Sequence, residues 1–150
     1  PTLDAYLDKV VELGDIHLII EIKEHATPQA ESELARAVVT KVKEHKLQDR
    51  IDYQSSRQHV CNELKRYAAS SATVYFMGNN LTPEYVEGLG FSGISYTVET
   101  FKRIPRWINE AHKLGLKVAV RGVTSADNGA WAKKSGADAI ITTTPTTIKK

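Results

Sequence analysis

The stretch "HLIIEIKEH", His17 to His25, places an acidic and a basic side chain in an otherwise apolar run. Successive side chains of a β-strand point to opposite faces, so the apolar residues at positions 18, 20 and 22 share one face. The other face ends in Glu21 and Lys23, two opposite charges two residues apart. This pattern predicts a buried strand whose end carries either a functional site or an inward-facing ion pair, because charged groups are rarely buried without a partner.

The composition is that of an ordinary globular protein. The chain has 150 residues, 41% hydrophobic and 25% charged, which predicts a single domain over residues 1–150. A net charge of +2, with basic residues spread along the chain, gives no indication of a nucleic-acid partner. The lone cysteine, Cys61, excludes an internal disulfide, and no apolar run is long enough to predict a membrane span. Because the chain starts at Pro1, we expect a segment before it, and the compartment stays open between cytoplasm and export.

Strand and helix patterns alternate along the chain. In the longest helical pattern, Thr27 is the expected N-cap, Pro28 the first helical residue, and the apolar stripe runs through residues 34, 37, 38 and 42. The alternation predicts an α/β protein with a parallel sheet. The six predicted strands are Ile16–Lys23, Ile51–Ser56, Thr73–Gly78, Gly93–Thr97, Lys117–Val123 and Ala139–Thr144.

Two architectures fit these elements, a doubly wound open sheet and a (β/α)8 TIM barrel. No glycine-rich nucleotide loop follows Lys23, and polar strand ends are typical of a barrel. A complete barrel needs about 250 residues, so we predict an incomplete, TIM-barrel-like arrangement of about six strands. Its open edges, the first and last predicted strands, would be covered by a preceding segment or by self-association with another chain.

A set of short motifs occurs in a fixed order along the chain. They are "PTLDAYL", "LIIEIK", "YQSS", "GLGFSGIS", "GLKVAV" and "SGADAIITTTP". Together they resemble the C-terminal two-thirds of the glycerophosphodiester phosphodiesterase family, and the Ile-Glu-Ile-Lys element is the most specific part.

The resemblance implies a reaction of lipid metabolism. Members of that family bind Ca²⁺ or Mg²⁺ and cleave a glycerophosphodiester to glycerol 3-phosphate and an alcohol. By resemblance Glu21 is a metal ligand and Lys23 contacts the phosphate, while His25, in the loop beyond, is a weaker candidate for the substrate site. Lys23 alone would also suit a Schiff-base enzyme, which nothing else in the sequence supports.

The family's catalytic histidines, in His-Arg-Gly and His-Asp motifs, and its Glu-x-Asp metal ligands have no counterpart in these 150 residues. The metal would therefore need ligands outside this chain, and we expect the chain alone to be inactive. The competing interpretation is a non-catalytic barrel remnant that serves as a binding or self-associating scaffold.

Three positions depart from the family pattern. Arg121 replaces a tryptophan, Thr143 an aspartate, and Arg57 an aromatic residue. Arg121 is either a clamp for a phosphate or carboxylate of the substrate or a strand-end arginine that reaches solvent. In the simpler alternatives, Arg57 is a solvated helix-start residue and Thr143 caps the last turn.

Overall fold

A computed structural model describes residues 2–148, which divide into two compact units, one up to Val74 and one from Tyr75 onward. The first unit contains α1 (Leu3–Glu12), β1 (Leu18–Glu21), α2 (Pro28–Glu44), β2 (Ile51–Ser55) and α3 (Gln58–Tyr67). The second contains β3 (Val74–Met77, its first residue closing the first unit), α4 (Pro83–Gly88), β4 (Gly93–Thr97), α5 (Val98–Arg103), α6 (Arg106–Lys113), β5 (Lys117–Arg121), α7 (Ala126–Lys134), β6 (Ala139–Ile141) and a 3-10 turn (Pro145–Thr147). The single domain predicted for residues 1–150 stays a prediction.

In the first unit, β1 and β2 are parallel, and their register places Glu21 beside Gln54. Helix α2 begins as predicted, with Pro28 at its first position and the Thr27 hydroxyl accepting a hydrogen bond from the Ala30 amide. The stripe predicted through residues 34 and 37 is wrong, since residue 37 is exposed and residue 34 only half-buried. The side chains that α2 buries are Glu31, Ala35, Val38, Val39 and Val42. A buried glutamate thus begins the apolar face, which a hydrophobic pattern cannot reveal.

In the second unit, β3, β4, β5 and β6 are parallel neighbours in chain order. Tyr96, Phe101 and Trp107 pack against one another, with ring centroids 5.7 and 5.8 Å from that of Tyr96. The break predicted at Pro105 is present between α5 and α6, whereas α4 was not predicted individually. None of the helices in residues 2–148 is long and apolar enough to cross a membrane.

Several strands end earlier than predicted. β1 ends at Glu21, so Lys23 lies in the connection to α2 and not in the strand. β5 ends at Arg121 because Gly122 follows with a φ of +73°, a left-handed conformation that glycine adopts without strain. The side chains of interest therefore lie at or just after the carboxyl ends of strands.

Candidate functional site

The carboxylate of Glu21 lies at the end of β1 between two polar neighbours. Its Oε1 is 3.8 Å from the Lys23 ammonium, and its Oε2 accepts a hydrogen bond from the Gln54 side-chain amide at 3.4 Å. The Glu21 side chain is 33% exposed and that of Lys23 is 82% exposed. The two charges are in contact, but the inward-facing ion pair expected as the simpler alternative is not formed, since Lys23 is largely exposed and a contact of this length between exposed groups is weak. Both charges therefore remain accessible to a ligand.

The segment after β1 is held by a buried carboxylate that the sequence did not indicate. Glu31, in the first turn of α2, is fully buried, and its Oε1 accepts hydrogen bonds from the His25 amide at 3.3 Å and from Arg57 Nε at 3.1 Å. Arg57 Nη1 also lies 3.5 Å from the Glu24 carboxylate. The His25 side chain is exposed, so what the structure fixes at this residue is its main chain.

Arg57 directly precedes α3, as the simpler alternative predicted, but it is not merely solvated. Its guanidinium pairs with two glutamates, and its amide donates a hydrogen bond to the Ser55 hydroxyl at 3.2 Å. The Ser55 hydroxyl in turn donates to the Ile22 carbonyl at 2.7 Å. Arg57 is therefore partly solvated, with 42% of its side chain exposed, and is in addition held by the buried Glu31 carboxylate.

Arg121 ends β5 and binds main-chain carbonyl groups of the second unit. Its Nε donates to the Ser95 carbonyl at 3.2 Å and its Nη2 to the Gly78 carbonyl at 3.0 Å, and the residue is half-buried. An arginine extended into solvent is thus the wrong description. At the third departure, Thr143 is exposed, and the hydroxyl that accepts an amide hydrogen bond in this turn belongs to Thr142.

Burial disfavours the ionised form of the Cys61 thiol and of the Tyr53 phenol. Cys61 lies on the buried face of α3, and burial raises the pKa of its thiol to about 12. Burial likewise raises the pKa of Tyr53 to about 12, with the Asp52 carboxylate adding to the shift. Neither group is suited to act as a nucleophile or as a base near neutral pH.

Glu21 has the chemistry of one ligand of the metal that the resemblance implies. Carboxylate oxygen is the ligand that Ca²⁺ and Mg²⁺ take, and Glu21 offers it at an accessible position. Residues 2–148 contain no group of three or more histidine, cysteine, aspartate or glutamate side chains arranged to hold a metal ion. Glu21 therefore fits as one ligand, and the described residues do not complete a site.

A model of the glycerophosphoryl diester phosphodiesterase family matches residues 1–147. The chain belongs to this family. The resemblance drawn from the ordered motifs is thereby confirmed, and the family generally uses a divalent metal and binds a glycerophosphodiester substrate. No significant match is found among curated proteins.

Solved structures of phosphodiesterases share the fold. A glycerophosphodiester phosphodiesterase from Parabacteroides distasonis is 32% identical with a TM-score of 0.91, over 97% of this chain and 61% of that one. One from Agrobacterium tumefaciens is 21% identical with a TM-score of 0.70, over 94% and 57% of the two chains. A phosphodiesterase from Oleispira antarctica, in complex with the product sn-glycerol-3-phosphate, is 17% identical with a TM-score of 0.75, over 94% and 56%.

These similarities confirm the predicted fold class, an α/β, TIM-barrel-like arrangement represented by six strands. The chain spans between 56% and 61% of the length of these three relatives.

Proposed function

We propose that this chain contributes part of the active site of a metal-dependent hydrolase that cleaves glycerophosphodiesters to glycerol 3-phosphate and an alcohol. The observation that carries the proposal is the accessible Glu21–Lys23 pair, 3.8 Å apart, at the carboxyl end of β1. Active sites of barrel enzymes lie at the carboxyl ends of the strands. Membership of the family supports the reaction class.

The two charges suit a phosphodiester in different ways. Glu21 would be one oxygen ligand of a bound Ca²⁺ or Mg²⁺, an ion that neutralises charge on the phosphoryl oxygens. Lys23 would place its ammonium against the same phosphate, because its long exposed side chain has little to hold it elsewhere. In this arrangement the Glu21 carboxylate would contact the metal cation, and the Lys23 ammonium would contact the phosphate anion.

Two further residues belong to the proposal with smaller roles. The exposed His25 side chain follows Lys23 in the same connection and would contact the substrate. Arg121 donates through Nε and Nη2 to carbonyl groups, and a guanidinium has five N–H donors in all. Its Nη1 group is the part that would reach an anionic substrate. General acid and base groups would come from outside this chain, as would the other metal ligands.

The test is the metal-dependent hydrolysis of a glycerophosphodiester by the whole protein and by its Glu21→Gln variant. We expect wild-type turnover in Ca²⁺ or Mg²⁺ that is lost with a chelator, and no measurable turnover in Glu21→Gln. Glu12→Gln is the matched control, because Glu12 is also an exposed glutamate paired with a lysine, Lys9, and its loss should leave turnover unchanged.

Unchanged turnover in Glu21→Gln would remove Glu21 from the metal site. If the wild type hydrolyses no phosphodiester with any divalent ion and forms a defined oligomer in solution, the scaffold interpretation replaces the enzyme. The self-association predicted for open strand edges would then be the property to study.

A further inference from the structure

Glu31 is the one acidic side chain among residues 2–148 that is fully buried, with 0% of its surface exposed. Its cation, Arg57, stands 26 positions later in the sequence, immediately before α3. Only Oε1 is used, since Oε2 is buried and accepts no hydrogen bond from the described residues. Burying the Glu31 carboxylate costs free energy, and its ion pair with Arg57, whose side chain is 42% exposed, is often no more stabilising than apolar residues of the same size. The pair therefore calls for an explanation other than stability.

What the pair contacts is the connection between β1 and α2. Glu31 accepts a hydrogen bond from the His25 amide, and Arg57 pairs with Glu24. On the other side of Lys23, the Ile22 carbonyl accepts a hydrogen bond from the Ser55 hydroxyl. The main chain is thus held immediately before Lys23, at Ile22, and two residues after it, at His25, while Glu24 between them is held through its side chain.

The side chain of Lys23 itself is 82% exposed, and among residues 2–148 its one ion-pair contact is the long one to Glu21. Its position is consequently set by the main chain on which it stands, not by side-chain packing. The contact between the Lys23 ammonium and a phosphate therefore depends on the position of the Lys23 main chain. A misplaced group loses a large part of its effect on a bound substrate.

We propose that Glu31 and Arg57 form a positioning pair, which fixes the segment from Ile22 to His25 and thereby directs Lys23 to the phosphate of the substrate. This inference rests on the proposed function and deepens it, because it names residues that act on the phosphate site without touching it. The essential group is the Glu31 oxygen that accepts the His25 amide. The cation allows this oxygen to be buried.

The experiment compares three variants of the whole protein. Glu31→Leu with Arg57→Leu removes the pair without leaving one charge buried alone. Glu31→Gln keeps an oxygen at the end of the side chain as the acceptor for the His25 amide. Arg106→Leu with Glu110→Leu is the matched control, because it removes an arginine–glutamate pair of similar length, 3.2 Å, from helix α6.

Two quantities are measured for each variant. The first is hydrogen exchange of the His25 amide, and the second is the affinity for sn-glycerol 3-phosphate in the presence of Ca²⁺, by titration calorimetry. In the double leucine variant we expect exchange at least about tenfold faster and binding weaker by about tenfold, or 1.4 kcal/mol. The control and Glu31→Gln should remain near the wild type in both measurements.

A pair with a purely structural role would alter thermal unfolding and leave the affinity of the folded protein unchanged. Faster exchange with unchanged affinity therefore overturns the inference, as does unchanged exchange. If the double leucine variant does not fold, Glu31→Leu alone takes its place, since it removes the acceptor of the His25 amide while Arg57, 42% exposed, keeps solvent and the Glu24 carboxylate as partners, and the same two results decide. Absence of binding by the wild type is a different outcome, which overturns the proposed function itself.

Discussion

Replacing Arg121 by methionine removes two hydrogen bonds and keeps most of the length and apolar surface of the side chain. The bonds lost run from Nε to the Ser95 carbonyl and from Nη2 to the Gly78 carbonyl. The two carbonyl groups are affected differently. Ser95 O still accepts the Gly78 amide at 3.2 Å, whereas Gly78 O loses the guanidinium donor. We therefore expect a real but limited loss of stability.

Hydrogen bonds that involve a charged group contribute about 1.5–3 kcal/mol each. The lower end applies here because Arg121 is only half-buried and water can replace part of what is lost. With one carbonyl keeping a second donor, the expected cost of Arg121→Met is about 2 kcal/mol in the free energy of unfolding. In a chain of this length that corresponds to a fall in Tm of about 4–8 °C.

Urea denaturation followed by circular dichroism measures this difference, with thermal unfolding as a second measurement. Lys117→Met is the control, since Lys117 is the exposed first residue of the same strand β5. This substitution also replaces a positively charged side chain by methionine. We expect the control to lie within about 0.5 kcal/mol of the wild type. If the free energy of unfolding falls no more in Arg121→Met than in the control, the two carbonyl contacts do not hold the guanidinium. All the N–H groups of Arg121 are then available to a ligand.

Two other predictions concern buried groups of the first unit. Asp52→Ala should lower the free energy of unfolding by about 1.5–3 kcal/mol in the same denaturation assay. The reason is that the buried Thr73 amide loses its acceptor, the Asp52 carboxylate at 2.6 Å. A loss below about 0.5 kcal/mol would contradict this reasoning. Since burial raises the pKa of Cys61 from 9.0 to about 12, its contribution to stability is complete below pH 9 and is lost as the pH rises toward 12. The stability advantage of the wild type over Cys61→Ala should thus shrink by an amount on the order of 3 kcal/mol between those values, and an advantage independent of pH would contradict the shift.

The order of the elements was predictable from the sequence because apolar periodicity and turn residues act locally. β4 has the predicted bounds, Gly93–Thr97, and Thr27 caps α2 as expected. The ends of other strands were not predictable to the same degree. The apolar pattern of β5 continues to Val123, but the left-handed conformation of Gly122 ends the extended strand before it, although the Val123 amide still donates to the Ile141 carbonyl at 3.4 Å. Periodicity reports which residues are apolar, while the end of a strand depends on where the regular extended pairing stops.

The candidate site divides in the same way. The side chains of Glu21 and Lys23 belong to one short motif, so their proximity followed from the sequence. The burial of Glu31 did not, because its partner Arg57 is 26 residues away and only the packed chain brings them together. Position along the helix gave no signal either, because Ala35, the buried residue one helical turn after Glu31, lies outside the predicted apolar stripe. An ionisable side chain is more often placed on the surface, so the burial of Glu31 was not predicted.

Two of the departures from the family pattern are arginines, and the structure gives each of them internal partners. Arg121 satisfies main-chain carbonyl groups, and Arg57 satisfies a buried carboxylate. Neither change therefore simply opens space for a ligand. At Arg57 the consequence extends to a second position, because the aromatic residue usual in the family would leave Glu31 buried without a cation, which costs more than the complete pair. Glu31 thus depends on Arg57, whereas Arg57 alone, 42% exposed, would still have solvent and the Glu24 carboxylate as partners.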